Sequence, residues 1–215
     1  PARKDRSYLV PGGFGFLGRA VADWLVERGA RHLILVGRNG PDEAAEAQLE
    51  RWRRHGVAVE CARVDVADVD ALSAAADRWR DALPPLAGVV HCAGALADAP
   101  LADTTEEHLA RTFAGKVTGA WHLHRLTEGT PLDLFVLFSS FAGVVGSPGQ
   151  SAYAAANTAL DALASYRRAR GEPAVSIAWG TWAGGGLGTS TGGAERLIRL
   201  GVLPRGRAQG LDLLD

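Results

Sequence analysis

Six short apolar runs, separated by segments with a helical repeat, constrain the fold of this chain more than any other feature. The runs span residues 8–10, 32–36, 57–64, 88–92, 134–140 and 174–179. The segments between them, such as RAVADWLVERGA, place apolar residues three and four positions apart and end near glycine. Strand and helix in alternation predict an α/β fold: a Rossmann-like, doubly wound parallel sheet with helices on both faces.

The composition predicts a single domain, residues 1–215, and argues against several classes of function. With 47% hydrophobic residues the chain can bury one good core, and its net charge of −1 argues against binding to nucleic acid. No apolar run approaches the roughly 20 residues of a membrane span. Cys61 and Cys92 are too few for a metal site or a disulfide framework. We expect a cytoplasmic protein, and the absence of methionine suits an internal piece of a longer polypeptide.

A glycine-rich turn follows the first run directly and opens the first helical segment. In GGFGFLG, three glycines form the pattern GxGxxG. Without Cβ atoms the backbone can approach a pyrophosphate, and the helix N-terminus offers unpaired N–H groups and a partial positive charge. A simple glycine-rich turn is the alternative. The residues expected to bind a dinucleotide here are Gly12, Gly13, Gly15, Phe16, Leu17 and Gly18.

Arg38, at the end of the second run, favours NADPH over NADH. Many dinucleotide-binding proteins carry an acid at this place for a ribose hydroxyl, whereas an arginine can pair with a 2′-phosphate. Asp65 and Val66 close the third run and are expected to border the adenine. The alternative for Arg38 is an ordinary solvated surface arginine.

Four side chains have the chemistry of a proton-transfer site: Ser140, Tyr153, Asn157 and Lys116. Tyr153 and Asn157 are four residues apart, which puts them on one face of a helix. Hydride delivered to a carbonyl carbon leaves negative charge on the oxygen, so the site must supply hydrogen-bond donors and finally a proton. Lys116 would favour ionisation of the Tyr153 phenol, and Ser140 would polarise the carbonyl. Asn157 would link Lys116 to its proton supply. Taken singly, the four have ordinary alternatives: a helix tyrosine, a capping serine, a surface lysine and a helix asparagine.

From Tyr8 onward the sequence resembles the ketoreductase domains of type I modular polyketide synthases, which belong to the short-chain dehydrogenase superfamily. The likeness is carried by YLVPGGFGFLG, WLVERGARHLILVGRNG, GVVHCAGALADAPL, FAGKVTGAWHL, FVLFSSFAGVVGSPGQSAYAAANTALDALA and SIAWGTWAGGG. It implies an NADPH-dependent oxidoreductase that reduces the β-keto group of an acyl chain to a β-hydroxyacyl thioester. The implied partner is an acyl carrier protein that holds the substrate on phosphopantetheine.

The same resemblance assigns roles to individual residues. It makes the four side chains above a catalytic tetrad, of which Lys116 and Tyr153 also contact the cofactor. The family's cofactor turn at a strand end is matched by His91, Cys92, Ala93 and Gly94.

The resemblance also predicts the configuration of the product. In one class of the family the loop after that turn carries a Leu-Asp-Asp signature, and here it reads Leu96, Ala97, Asp98. The other class has a tryptophan where Val145 stands, and Pro148 often accompanies the first class. We therefore expect a B-type reductase that gives a D-configured hydroxyl. Residues 182–203, which begin at Trp182 and are rich in glycine, are expected to form a substrate lid, with a surface linker as the alternative.

Two departures from the family pattern leave another function open. Pro11 stands where threonine is usual and lacks an N–H and a hydroxyl, and Phe16 replaces a small residue beside the expected pyrophosphate. Both would weaken NADPH binding, so a redox-inactive scaffold or an epimerising domain of the same synthase is the alternative. A free-standing dehydrogenase of a small alcohol is disfavoured by the long matching stretches. Family members have a structural subdomain upstream and a seventh strand downstream, so we expect that subdomain and other synthase domains as partners.

Overall fold

Six parallel strands form one sheet at the centre of the protein. The computed structural model describes residues 2–186, 198, 201 and 203–214. The strands are β1 (Ser7–Pro11), β2 (His32–Gly37), β3 (Ala58–Arg63), β4 (Leu86–His91), β5 (Leu134–Ser140) and β6 (Val175–Trp179). Their order across the sheet is β3-β2-β1-β4-β5-β6. This is the order of a dinucleotide-binding Rossmann sheet, so the predicted fold class is confirmed.

Helices connect the strands, and local sequence signals fix where several of them begin. The helices are α1 (Phe16–Glu27), α2 (Glu43–Arg54), α3 (Val69–Ala82), α4 (Glu106–Phe113), α5 (Gly119–Leu126), α6 (Ala142–Val145), α7 (Ser151–Ala169) and α8 (Arg207–Leu211). Short 3₁₀ turns lie at Leu101–Asp103 and Asp212–Leu214, and one π turn, Ala114–Thr118, joins α4 to α5. Asp42 caps α2 and Asp68 caps α3, because each carboxylate accepts a hydrogen bond from a first-turn N–H. No helix among the described residues is long and apolar enough to cross a membrane.

Two apolar cores cover the two faces of the sheet. On one face, alternate strand residues such as Val10 and Leu35 pack with Trp24 of α1 and Trp52 of α2. On the other face, the intervening residues pack with α3, α5 and α7, for example Leu137 with Leu160. Burial on both faces explains why the strands read as continuous apolar runs rather than as alternating ones.

The strand order places a cleft at one edge of the sheet. β1 and β4 are neighbours in the sheet, but the chain continues from them to opposite faces. After β1 it enters α1 on one face, and after β4 it enters α4 and α5 on the other face. At such a reversal the loops after the strands diverge, and in open α/β sheets ligands bind in the crevice beyond the carboxyl ends.

Candidate functional site

A cleft of about 460 Å³ opens beyond the carboxyl ends of β1, β2, β3 and β4. Its wall is formed by the glycine turn, by the ends of the three neighbouring strands and by the last turn of α4. It includes most of the residues that the sequence assigned to a cofactor: Gly12, Gly15, Phe16, Leu17, Gly18, Arg38, Asp65, Val66, Ala93 and Gly94. Gly13 does not line the cleft. Lys116 and Tyr153 are not in the wall either, although Gly115, the residue before Lys116, is.

The N-terminus of α1 is left uncapped toward this cleft. Gly15 is the N-cap residue and supplies no side chain, and the first turn of α1 contains no acidic residue. By contrast, Asp42 and Asp68 satisfy first-turn N–H groups of α2 and α3. Free N–H groups and the positive end of the helix dipole therefore face the cleft, which is the arrangement that binds a phosphate group.

The glycines of this turn have different physical roles. Gly12 has φ +80°, and a Cβ on it would lie 2.7 Å from the backbone nitrogen of Ala93. A Cβ on Gly18 would lie 2.1 Å from the carbonyl oxygen of Gly12, so α1 can pack against the turn only without a side chain there. A Cβ on Gly13 would be 2.8 Å from the carbonyl oxygen of Val10. Gly15 has its nearest neighbour at 3.4 Å, so at this position the absent side chain opens space for a ligand and does not relieve a clash.

This difference gives a matched pair of variants. Gly15→Ala should leave the melting temperature unchanged and raise the dissociation constant of the predicted cofactor, NADPH, about tenfold or more, because the methyl group enters the phosphate cradle. Gly18→Ala should lower the melting temperature as well, because overpacking of this kind typically costs ~1–3 kcal/mol. Calorimetry and NADPH fluorescence titration on both variants test the assignment. Equal loss of stability in the two would contradict it.

The turn remains anchored although Pro11 has no N–H group. The N–H groups of Gly12 and Gly13 both donate to the carbonyl oxygen of Val36, at 2.8 and 3.2 Å. The carbonyl oxygen of Pro11 accepts from the N–H of Cys92 at 2.8 Å. Backbone hydrogen bonds to β2 and to the end of β4 thus hold the turn that the sequence predicted to be weakened.

Phe16 begins α1 and lies between the glycine turn and the segment after β6. A Cβ on Gly185 would lie 2.7 Å from the Phe16 ring, so the ring packs directly on the Gly185 backbone. The ring also contributes to the cleft wall. Phe16 therefore narrows the cleft where the sequence places the pyrophosphate, as expected from its size.

Arg38 lies just beyond the end of β2 with its side chain exposed. Within the described part of the chain it makes no ion pair, so its guanidinium is available to an anionic ligand. Asp65 and Val66 lie beyond β3, which ends at Arg63, one residue before the end of the apolar run 57–64. Arg111 of α4 is a second cation in the cleft wall that the sequence analysis missed. No motif in the sequence singles it out.

Lys116 is held at the inner end of the cleft by the π turn. Such single π turns are rare and occur frequently at functional sites. The side chain is 4% exposed, and its Nζ donates to the carbonyl oxygen of Phe138 at 2.8 Å. Burial lowers the pKa of Lys116 to about 8, while electrostatic interactions with Cys92 and Asp161 act in the opposite direction. The Nζ lies 5.4 Å from the ring centroid of Tyr153.

Tyr153, at the start of α7, interacts with each of the other three predicted catalytic residues. Burial raises the pKa of its phenol, and hydrogen bonds with the side chains of Ser140 and Asn157 lower it. All four side chains of the predicted group therefore lie together. In this arrangement burial outweighs the neighbours and keeps the phenol protonated, whereas the sequence analysis expected Lys116 to favour its ionised form.

Asn157 and His91 hold the surrounding backbone. The Nδ2 of Asn157 donates to the carbonyl oxygen of Tyr153 at 2.7 Å, and its buried Oδ1 has no hydrogen-bond partner within the described residues. His91, at the end of β4, contacts the carbonyl oxygen of Lys116 through Nε2 at 3.1 Å. Burial and the nearby Lys116 lower the pKa of His91 to about 4, so the ring is neutral and braces the π turn without adding charge.

Asp98, one of the four predicted stereocontrol residues, acts on Tyr153, and Leu96 and Pro148 lie on the two segments that its hydrogen bond joins. Asp98 accepts a hydrogen bond from Gln150 Nε2 at 2.9 Å, which ties the loop after β4 to the turn that precedes α7 and contains Pro148. The charge of Asp98 acts on the pKa of Tyr153. Leu96 and Asp98 also line a second cavity of about 420 Å³ beside α4.

Trp182 is not part of this group, which corrects the sequence expectation. Its side chain is 5% exposed, its ring lies 4.8 Å from that of Trp179, and it fills the space beside Gly210 of α8. It is a core residue because the chain folds back here to pair with Arg205. Most of the predicted lid, 187–197, 199, 200 and 202, lies outside the described residues.

Comparison with known proteins assigns the family. The sequence profile of the KR domain matches residues 6–184, which is most of the chain. The chain belongs to the KR domain family. This ketoreductase domain is 47% identical over 216 residues to erythronolide synthase EryA2 of Saccharopolyspora erythraea, and 46% identical over 210 residues to the pikromycin synthase component PikAIII of Streptomyces venezuelae. The alignments cover 98% and 96% of this chain but only 6% and 13% of those relatives.

Solved ketoreductases have the same fold. The ketoreductase PlmKR1 from the first module of phoslactomycin biosynthesis in Streptomyces sp. HK803 superposes with a TM-score of 0.92 at 39% identity. A structure of A-type ketoreductases from a modular polyketide synthase gives 0.92 at 45% identity. The matches cover 100% and 98% of this chain and 50% and 44% of those chains. The protein is therefore an oxidoreductase domain of the modular polyketide synthase type.

Proposed function

We propose that this ketoreductase uses NADPH to reduce the β-keto group of an acyl chain carried on an acyl carrier protein. The observation that carries the proposal is the juxtaposition of Ser140, Tyr153 and Lys116 next to a cleft with an uncapped helix N-terminus. The cleft suits a dinucleotide, since Gly15 leaves space at the cradle and the first turn of α1 has no anion of its own. When bound, NADPH supplies a hydride to the β-carbonyl carbon.

The chain's own residues handle the oxygen and the proton. The hydroxyls of Ser140 and Tyr153 donate to the substrate oxygen on which negative charge develops. Tyr153 then gives its proton to that oxygen, which completes the hydroxyl and leaves a phenolate. The ammonium group of Lys116 stabilises the phenolate, and Asn157, with one acceptor atom still open, holds the path by which the proton is replaced.

Arg38 should determine the preference for NADPH over NADH. Replacement by glutamine removes a charge-assisted contact with the 2′-phosphate, which is worth ~1.5–3 kcal/mol. The NADPH dissociation constant should rise about 10- to 100-fold, while that of NADH stays the same. Parallel fluorescence titrations with the two cofactors measure the ratio. An unchanged ratio would assign the preference to another residue, and Arg111→Gln is the variant to compare.

The substrate arm is proposed to enter between the loop at Leu96 and helix α4. The second cavity provides space there, and Asp98 in its wall is hydrogen-bonded to Gln150 and acts electrostatically on Tyr153. The carrier protein, an upstream structural subdomain and further synthase domains are the proposed partners. Residues 1–215 are proposed as one catalytic domain, whose lid is the part of 182–203 that follows the buried Trp182. The relatives are much longer synthases, which supports a multidomain parent.

We propose B-type stereochemistry, a D-configured β-hydroxyl. Two observations support this. Asp98, at the end of the signature loop, is held by a hydrogen bond from Gln150, and α6 carries Val145 where the other class has tryptophan. The experiment is steady-state reduction of a β-ketoacyl thioester with NADPH, followed by chiral chromatography of the product. D-configured product supports the whole proposal. L-configured product overturns the stereochemical part, and a domain that binds NADPH without any turnover overturns the reductase.

A redox-inactive domain is the second candidate, and Phe16 is the observation that favours it. The ring narrows the cleft and packs on Gly185. If this contact blocks the cofactor, NADPH should produce no fluorescence change with the unaltered chain. Binding and turnover should then appear when Phe16→Gly is combined with Pro11→Thr. Binding to the unaltered chain would show that Phe16 does not block the cofactor, and turnover by the unaltered chain would exclude this candidate.

A further inference from the structure

Asp161 continues the face of α7 that carries the site residues. It follows Tyr153 by eight residues and Asn157 by four, so the three side chains project from the same side of the helix in successive turns. The side chain is half-buried, and no lysine or arginine of the described chain lies within ion-pair distance of it. Its hydrogen bond is with Ser176 of β6, whose Oγ donates to Asp161 Oδ1 at 2.5 Å.

The hydrogen bond with Ser176 fixes the carboxylate of Asp161 beside β5, the strand whose backbone accepts a hydrogen bond from Lys116. Ser176 is paired with Leu137 in the sheet, and the next pair is Phe138 with Ile177. The carbonyl oxygen of that same Phe138 accepts the hydrogen bond from Lys116 Nζ. Because the π turn of Lys116 also packs against α7, the amine and the carboxylate lie on the same side of the sheet.

Asp161 is the carboxylate among the described groups that act electrostatically on the buried amine of Lys116. His91 at the end of β4 and Cys92 just beyond it interact electrostatically with Lys116, as does Asp161 of α7, and the ring of Tyr153 lies beside its amine. Burial raises the pKa of the Cys92 thiol and of the Tyr153 phenol, and it lowers that of His91, so these three are neutral near pH 7. A buried ammonium without any anion nearby would lose its proton, since burial disfavours the charged form.

We propose that Asp161 is a positioning residue of this ketoreductase: its carboxylate, held by Ser176, keeps the amine of Lys116 charged for proton delivery through Tyr153. This inference rests on the proposed function for its role in turnover. The electrostatic coupling between Asp161 and Lys116 can be measured without turnover.

The sequence makes the direct measurement simple, because Lys4 and Lys116 are its two lysines. With lysine labelled by ¹³C at Cε, an NMR titration of the whole chain gives two resonances, and the exposed Lys4 serves as an internal reference. Asp161→Asn keeps an oxygen for the Ser176 hydrogen bond and removes the charge. The Lys116 midpoint should then fall by about half a pH unit or more. Asp161→Glu keeps the charge and should largely restore the midpoint, whereas Ser176→Ala should shift it less than Asp161→Asn does.

A pH profile of the turnover number separates this role from a merely structural one. In Asp161→Asn, turnover at pH 6 should equal that of the unaltered chain, and turnover at pH 9 should be about threefold lower, the value for a half-unit shift. A uniform loss at every pH would indicate a structural role only. If the Lys116 midpoint is unchanged in Asp161→Asn, the proposal is wrong even when the unaltered chain turns over. If the midpoint shifts but the unaltered chain shows no turnover, only the proposed reductase function is contradicted.

Discussion

Tyr153→Phe is expected to reduce the turnover number for β-ketoacyl thioesters about a thousandfold or more, with the NADPH dissociation constant unchanged within twofold. The variant loses the hydroxyl that is hydrogen-bonded with Ser140 and Asn157, and it keeps the ring above which Lys116 Nζ lies at 5.4 Å. General acid catalysis by a positioned group contributes about 10²- to 10⁴-fold, and here the same hydroxyl also donates to the developing oxyanion. Single-turnover kinetics with saturating NADPH measure the chemical step directly.

A second tyrosine of α7 provides the matched control. Tyr166 lies on the same helix, 44% exposed, and its hydroxyl accepts from Arg170 at the surface. Tyr166→Phe should therefore leave turnover and stability unchanged. If Tyr153→Phe loses less than about tenfold, the proton comes from another donor and the proposed mechanism is wrong at its central step.

The fold was predictable because hydrophobic period and glycine placement are local signals. The continuous apolar runs reflect strands covered on both faces, as Leu9 and Val10 illustrate by packing into opposite cores. The glycine pattern marked the place where the first strand gives way to the first helix, and the structure shows why: Gly18 would clash with the Gly12 carbonyl if it had a side chain. Strand ends were less predictable, since Asp65 and Val66 lie just past β3.

The site was predictable only as a set of residue types. Spacing along α7 related Tyr153 to Asn157, but the π turn that directs Lys116 toward Phe138 has no sequence period of its own. Nor does sequence report burial, which raises the pKa of Tyr153 although two hydrogen bonds oppose it.

Tertiary contacts explain why the sequence misassigned Trp182 and why it gave no indication of Asp161. Trp182 looked like part of the substrate lid, yet the return of the chain to α8 buries it against Gly210. Asp161 looked like an ordinary polar residue of a helix, and its importance becomes visible only when β6 brings Ser176 to it. Such long-range pairings are set by the strand order and are not encoded in any short segment.

Lys116→Met is expected to lower turnover about a hundredfold or more and to abolish the dependence of turnover on pH above neutrality. Methionine fills the buried volume without charge, so the phenolate left after proton donation by Tyr153 has no cation beside it. In the unaltered chain the pKa of Lys116 is lowered to about 8, so the amine is charged below that pH and neutral above it. Turnover should therefore fall as pH rises through about 8, and this decline should be absent from the variant.

Stability must be separated from chemistry in this test, because the carbonyl oxygen of Phe138 loses its donor in Lys116→Met. An unsatisfied buried acceptor costs ~1–3 kcal/mol, so the melting temperature should fall by several degrees while the fold is retained. Lys4→Met, at the other, exposed lysine, should change neither stability nor the pH profile. If Lys116→Met keeps a decline in turnover with a midpoint near pH 8, the titrating group is not this lysine, and the amine does not control proton delivery through Tyr153.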